Sequence, residues 1–305
     1  MNQPKFSVLT PTFKGKKRLI ELKNYLEKQT FKDFEWIIVQ DGNDEETRSI
    51  AKSLIENTSF KTSYYEIPHN HKKAALNKGI SHAAGVLLLI ADDDDGIKEN
   101  ALEILNDKWE SLENKNEFVG VTGLCEYEDG TLVGKKFPND EFVSTSQECN
   151  HKYKCNGEKW GFQRLDIMKQ YPFFEDAEGY VGESTVWLAI GKKYKTLYVN
   201  EVLRIYNQTE DSIIREELTK EKIKRNCQAY TYGYRFNALN LGIYRLYNPK
   251  YFLALCIFHM RYLLHSVRFK KTKAWMFSFH IKTLLVLIIG LPGVFFFLND
   301  LAKNR

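Results

Sequence analysis

Over residues 6–91 the hydrophobic positions fall into short blocks that alternate between two periods. Residues 6–10 (FSVLT) are a β-rich apolar run stopped by Pro11. Within 15–29, Leu19, Leu22 and Leu26 recur at three and four with lysines between them, the spacing of a helix with one apolar stripe. Residues 34–40 (FEWIIVQ) form a second apolar run ended by Asp41-Gly42. Residues 43–56 return to helical spacing, with Ile50, Leu54 and Ile55 as the apolar face. A third strand is expected at 64–67 before Pro68, then a helix over 72–84 whose alanines allow close packing. Residues 86–91 (VLLLIA) are a fourth run, apolar throughout, and four consecutive aspartates end it.

Strands that are apolar on both faces and alternate with helices predict an α/β fold, a parallel sheet covered by helices. Ligands of such sheets bind beyond the carboxyl ends of the strands, near the switch in strand order. The polar residues suit that rule. Thr10-Pro11-Thr12 follows the first strand, Asp41-Gly42 the second, and Asp92, Asp93, Asp94 and Asp95 the fourth. The first strand is not followed by a dinucleotide glycine fingerprint and no P-loop motif is present, which argues against nicotinamide and ATP sites of those kinds.

Adjacent carboxylates at the mouth of an apolar strand repel one another and are partly desolvated. A hard divalent cation relieves this, and Mg2+ or Mn2+ is usually held by one or two carboxylates together with substrate phosphates. The competing reading is a solvated acidic loop capping the helix that starts near Lys98. The strand-end position of both the acidic run and Asp41 favours the metal.

These segments resemble a known family. Residues 7–47 (SVLTPTFKGKKRLIELKNYLEKQTFKDFEWIIVQDGNDEET) are similar to the nucleotide-binding opening of family 2 glycosyltransferases with the GT-A fold. Residues 72–96 (KKAALNKGISHAAGVLLLIADDDDG) resemble the family's A-x-N-x-G segment leading into its D-x-D motif. The likeness covers most of residues 5–125, and several elements in order make it specific. It implies a Rossmann-like sheet with helices on both faces. It implies that Thr10, Pro11 and Thr12 lie in the loop that cradles the nucleotide and that Asp41 accepts a hydrogen bond from the base. Lys73 would approach the diphosphate. Asp94 is the implied metal ligand, with Asp95 beside it as a further candidate. Asp92 is placed at the ribose, and Asp93 is grouped with the nucleotide-sugar site although the motif turns its side chain away.

Residues 118–124 read as another strand, and the polar, turn-rich 126–142 as a hairpin. Residues 156–207 resemble the second half of bacterial family 2 enzymes that build capsule or O-antigen polysaccharide. There an aromatic-rich segment precedes an acidic pair at a helix start. Here that pair reads Glu183-Ser184. Inverting transfer needs a general base for the acceptor hydroxyl, and the likeness gives that role to Glu183, with Glu178 and Asp176 as alternatives. A glutamate is also favoured there by the helix dipole alone. Trp160 either stacks on an acceptor sugar or belongs to the core.

The formal charge of +5 hides an asymmetry: residues 212–305 carry +12 and residues 1–211 carry −7. The rear reads as helical from 212, with an apolar, aromatic stretch at 251–267 and a basic knot of Arg268, Lys270, Lys271 and Lys273. Residues 283–298 are apolar but broken by Gly290, Pro292 and Gly293, and a spanning helix needs about 20 apolar residues. An interfacial or re-entrant segment on an anionic membrane surface is expected, with a homodimer through these helices as the alternative. Nucleic acid gives the apolar run no role. The five cysteines are odd in number and widely spaced, which argues against a disulfide framework and for a reducing compartment. Cys149, His151 and Cys155 match no common zinc spacing. The opening apolar run is too short for the core of a signal peptide.

The expectation is a metal-dependent (Mn2+ or Mg2+) inverting transferase on the cytoplasmic side of a membrane. It moves sugar from a UDP-type donor to a lipid-linked saccharide. Residues 1–125 form the donor part, 126–211 the acceptor part and 212–305 the membrane region. Ser184 in place of an aspartate supports the rival reading, an inactive nucleotide-sugar-binding scaffold.

Overall fold

The computed structural model describes residues 3–207, 218–277 and 281–303. The expected boundary between 211 and 212, and the first residues of the rear, lie outside them. The chain divides into two compact units, Met1–Pro172 with Ile190–Thr209, and Phe173–Ala189 with Glu210–Arg305.

The first unit is built on one mixed sheet. Its elements begin β1 (Phe6–Thr12), α1 (Lys16–Glu27), β2 (Phe34–Asp41), α2 (Glu45–Glu56), β3 (Thr62–Ile67), α3 (His71–His82) and β4 (Leu87–Ile90). They continue β5 (Gly96–Ile97), α4 (Ala101–Glu110), β6 (Phe118–Glu126), β7 (Glu141–Ser144), β8 (Lys159–Arg164) and α5 (Leu165–Met168). After α6 (Ser184–Ile190) comes β9 (Lys195–Ile205). The strand order is β3-β2-β1-β4-β8-β6-β9-β5, with β7 on β9.

The parallel sheet expected from the sequence is the half β3-β2-β1-β4. β8 then enters antiparallel to both β4 and β6, while β6 and β9 are parallel. Leu87, Leu88 and Leu89 are fully buried because both faces of β4 are covered. Leu19, Leu22 and Leu26 of α1 join one core with Val8, Leu87, Leu89 and Trp109. Each such leucine contributes roughly 1.5–3 kcal/mol by leaving water. Leu9 turns to the opposite face. There α3 approaches so closely that a Cβ on Gly79 would lie 2.0 Å from Leu9 Cδ1.

Two expectations are corrected. In α2 the buried residues are Thr47, Ala51 and Leu54, and Ile55 is exposed. Successive residues are a hundred degrees apart on a helix, so Leu54 and Ile55 cannot both face the sheet squarely. The 126–142 hairpin is confined to its start: Tyr127 N–H donates to the Thr131 carbonyl at 2.8 Å, Glu126 bridges Leu132 antiparallel, and Val133 N–H donates to the Cys125 carbonyl at 2.9 Å. Phe142 then joins β7, which pairs with β9 rather than returning to β6. Cys149 and Cys155 are buried with Phe137, Phe142 and Tyr198 beneath this excursion.

The second unit is helical: α7 (Lys220–Asn240), α8 (Pro249–Arg268), α9 (Ile281–Ile289) and α10 (Gly293–Lys303). Thr219 caps α7 and Asn248 caps α8 through side-chain oxygens. Tyr234 and Tyr262 lie parallel across the α7–α8 seam, and Thr231 and Ser266 hydroxyls meet at 3.3 Å. α9 and α10 are bent by 54° at the expected Gly-Pro-Gly break. Both flanking glycines permit backbone contact, since a Cβ would lie 2.4 Å (Gly290) or 2.2 Å (Gly293) from α8 carbonyl oxygens. Asp300 locks α10 to α8 through Arg261 (2.7 and 2.5 Å) and His265 (2.9 Å). Among the described residues no single helix is long and apolar enough to cross a membrane.

Candidate active site

Three neighbouring strands bring the polar ends to one edge of the sheet. β2, β1 and β4 run parallel, so Asp41, Thr12 and the acidic run leave from the same side. β1 continues through Thr12, with Pro11 opposite Val39 in the register. The expected loop of Thr10, Pro11 and Thr12 is therefore the last part of a strand. Proline tolerates this because its fixed φ suits extended chain. Thr10 is fully buried and its hydroxyl oxygen accepts from Trp36 Nε1 at 2.9 Å. Thr12 donates its hydroxyl hydrogen to the Asp93 carboxylate.

The mouth of β4 is held on both sides. Ala91 N–H donates to the Leu9 carbonyl (2.9 Å), and Trp160 Nε1 donates to the Ile90 carbonyl (2.7 Å). Trp160 is 4 % exposed and part of the main core, so of its two readings the structure places it in the core. Beyond it, cations face Asp92, Asp93 and Asp95. Lys72 Nζ reaches both Asp92 oxygens (2.6 and 2.9 Å), Arg18 Nε lies 3.4 Å from Asp93, and Arg204 Nε lies 3.0 Å from Asp95. The Asp94 carbonyl accepts from Asn207 Nδ2 at 2.8 Å.

Burial works against charge at all four carboxyls, and the neighbours decide the outcome. At Asp92 burial is outweighed by Lys72 and then Arg204, which hold the carboxyl below its ordinary range. Burial pushes Asp93 up to about 6 against the pull of Arg18 and Thr12. Asp94 is raised by burial and then by the negative charge of Asp92. Asp95 is raised by burial against Arg204. Four adjacent carboxyls in one short loop repel one another, and a bound cation would relieve that repulsion.

Asp41 is almost fully buried at the end of β2. Its carboxylate accepts from the Asn70 backbone N–H at 2.7 Å and faces His69 Nδ1 at 2.8 Å. The exposed Phe13 ring stands 5.0 Å from that imidazole. A carboxylate beside an open aromatic ring suits a planar heterocycle bearing N–H groups. Lys73, the lysine singled out from the sequence, is 2 % exposed on α3, and its neighbour Lys72 meets Asp92.

The candidate bases belong to the second unit. Glu183 is half-buried immediately before α6, where its carbonyl accepts from Val186 and Trp187 N–H groups. Glu178 pairs with Lys271 (2.6 Å) and Asp176 with Lys273 (3.0 Å), so two lysines of the basic knot are spent on these carboxylates.

Sequence reading missed Lys72, Arg18, Arg204 and Asn207. For the lysines, adjacent residues on one helix differ only in direction, which the sequence does not settle. Arg204 did carry a signal. A charge inside the otherwise apolar strand VLRIY needs a buried partner.

Comparison with known proteins agrees with this geometry. The family model described as glycosyl transferase family 2 matches residues 7–159. A Campylobacter jejuni protein, GalNAc(5)-diNAcBac-PP-undecaprenol beta-1,3-glucosyltransferase, is 26% identical over 76% of this chain and 72% of its own length. The glycosyltransferase GlyG of Streptococcus pneumoniae is 25% identical over 69% of this chain and 73% of its own. Among solved structures, Staphylococcus aureus TarS residues 1–349 with UDP-GlcNAc superposes with a TM-score of 0.59 at 18% identity, covering 94% of this chain and 79% of that one. The mannosyltransferase PcManGT of Pyrobaculum calidifontis, with GDP-Man and Mn2+, gives 0.55 at 14% identity over 100% and 88%. The fold is GT-A, and the chain is a glycosyltransferase that belongs to family 2.

Proposed function

We propose that the chain transfers a sugar, with inversion, from a UDP-sugar to a hydroxyl of a lipid-linked saccharide, as one step in assembling a surface polysaccharide. The observation that carries the donor half is the acidic run. It leaves the same sheet edge as Asp41 and Thr12, as four adjacent carboxyls at the end of a buried strand. Residues 1–125 would serve the donor, 126–211 the acceptor and 212–305 the membrane.

The residues present fit a divalent ion. Among the described residues no three His, Cys, Asp or Glu side chains form a closed cage. That agrees with an ion held by one or two carboxylates and the donor's phosphates. Asp94 would hold Mn2+ or Mg2+, with Asp92 at the ribose and Asp95 turned to Arg204. When bound, the ion would offset charge developing on the leaving diphosphate. The Mn2+ and UDP-GlcNAc in the structural neighbours, and the undecaprenol-linked substrate named for the C. jejuni relative, support donor, metal and acceptor class.

Glu183 takes the proton of the attacking hydroxyl. Its support is its place immediately before α6, where the resemblance puts the acidic residue. Lys72 and Arg18 keep Asp92 and Asp93 oriented in the absence of donor.

The second unit would hold the enzyme on the cytoplasmic face of a membrane. Ile281, Leu284, Ile288, Leu291, Phe295 and Leu298 are exposed along α9, the break and α10. Residues 242–305 contain one acid, Asp300, and it is buried against Arg261 and His265. The exposed face is thus apolar with basic flanks, which complements an anionic leaflet.

Incubating the full chain and Mn2+ with a panel of UDP-sugars and undecaprenol-linked saccharides tests the reading. Acceptor-dependent release of UDP and loss of release with EDTA are expected. Release of GDP or a nucleoside monophosphate from its own donor, with UDP-sugars inert, would overturn the donor class.

A further inference from the structure

The last strand of the sheet reaches back to the acidic run at several points. β5, which directly follows Asp95, pairs antiparallel with β9, Gly96 opposite Ile205 and Ile97 opposite Arg204. Lys98 N–H extends the contact to the Leu203 carbonyl at 3.0 Å. Asn207 Nδ2 donates to the Asp94 carbonyl at 2.8 Å, and its backbone N–H faces Asp95 Oδ1 at 3.4 Å. Between these contacts Arg204 Nε meets Asp95 Oδ2 at 3.0 Å.

This ion pair differs in kind from those of Lys72 and Arg18. Lys72 and Arg18 have side chains 23% and 31% exposed, whereas Arg204 and Asp95 are 6% and 3% exposed. Arg204 is also fixed from behind, over the Tyr206 ring at 5.2 Å and 3.7 Å from Glu158. A buried charge that loses its partner must take a proton or turn out to solvent. If Asp95 turned out, the backbone of Asp94 would move with it.

We propose that Arg204 is a positioning residue of the donor site. By clamping Asp95, with Asn207 holding the Asp94 backbone, it fixes the direction in which Asp94 and Asp92 present their carboxylates to the cation and diphosphate. This rests on the reading of the acidic run as the cation and donor site. Arg204 touches neither donor nor ion in this role. It acts through Asp95 as the groups behind metal ligands do, whose removal typically costs about 10–100-fold in metal affinity.

The test uses the full-length protein, with Mn2+ and UDP as probes. Calorimetry gives the UDP affinity at rising Mn2+, and circular dichroism confirms the fold. Arg204→Met should weaken Mn2+-dependent UDP binding about 10–100-fold. Arg204→Lys, which keeps the charge but not the planar fork, should fall between it and wild type. In turnover the loss should appear as a higher Mn2+ requirement and a higher KM for donor, with kcat partly restored at saturating Mn2+. A merely structural role would not move that requirement. If Arg204→Met does not fold, the double variant Arg204→Met/Asp95→Asn strands no charge, and it should fold and still lose affinity about tenfold. A folded Arg204→Met or double variant that binds Mn2+ and UDP like wild type overturns the clamp alone. A wild-type protein that shows no Mn2+-dependent binding of UDP overturns the clamp together with the site reading beneath it.

Discussion

Asp94 and Glu183 divide the proposed chemistry between donor and acceptor, and each has its own expected phenotype. Asp94→Asn keeps the size of the side chain and removes its charge. Mn2+-dependent UDP affinity, followed by thermal shift, should fall at least about tenfold with the fold intact. Undiminished Mn2+ dependence would remove Asp94 from the metal site. Glu183→Gln should keep UDP and Mn2+ affinity and lose about 10²–10⁴ in transfer rate. Glu178→Gln and Asp176→Asn should be milder, because those carboxylates already pair with Lys271 and Lys273. A dead Glu178→Gln beside an active Glu183→Gln would reverse the assignment. His259 gives a pH signature of stability instead. It is fully buried, its Nδ1 meets the Thr231 carbonyl at 3.2 Å, and burial holds its pKa down at about 4. A depressed folded pKa means that the unfolded chain takes up the proton first. Stability is therefore full above the ordinary value of 6.5 and is lost as pH falls from there towards 4. By about pH 5 the loss should be about 2 kcal/mol. Urea unfolding of wild type against His259→Asn measures it, and an equal pH slope in both would refute the attribution.

At the scale of elements, α9 and α10 present two faces with different work. The inner face is structural: Gly290 and Gly293 lie on α8, Val286 is buried, and Asp300 holds Arg261. The outer face is exposed at Leu284 and Ile288. Truncating the pair would strand the buried Arg261, so point changes on the outer face separate the two roles. Leu284→Glu with Ile288→Glu should abolish flotation with phosphatidylglycerol vesicles. The unfolding midpoint should shift by no more than surface changes do, about 0.5 kcal/mol each. If the same pair instead converts a dimer to a monomer in detergent-free buffer, the face is an interface between copies. Much of this element was legible in advance. The break at 290–293 follows from Gly-Pro-Gly, and the structure bends there by 54°. The burial of Asp300 was not legible, because its partners are 35 and 39 residues away in sequence.

For the whole molecule, charge is sorted along the chain, from −7 over residues 1–211 to +12 over 212–305. The basic rear should make vesicle binding depend on salt. Each lysine or arginine near an anionic surface is worth about 1 kcal/mol at low salt, screened within about 8 Å at physiological ionic strength. Binding to phosphatidylglycerol vesicles should weaken several-fold on raising NaCl from about 0.05 to about 0.5 M, while the weaker binding to phosphatidylcholine vesicles should change little. Equal salt response for both lipids would show that the apolar face alone is responsible.

The sequence by itself determined what depends on local period and on residues joined by the chain. Strands β1 to β4, their covering helices and the position of Asp41 and the acidic run follow from alternating apolar blocks and strand-end polarity. Only the tertiary structure decided what depends on a side chain's direction or on pairing across long separations. Adjacent Lys72 and Lys73 are chemically equivalent in a sequence, yet on α3 Lys73 is 2% exposed while the side chain of Lys72, which meets Asp92, is 23% exposed. Trp160 suits a sugar face or a core equally well until β8 inserts between β4 and β6 and its indole meets Ile90. Arg204 and Asp95 lie in separate stretches of the chain and meet only because β5 folds back onto β9. The physical reason is common to all three. Periodicity fixes which face a residue shares with its near neighbours, whereas a buried polar group is satisfied by whatever the whole sheet brings within about 3 Å.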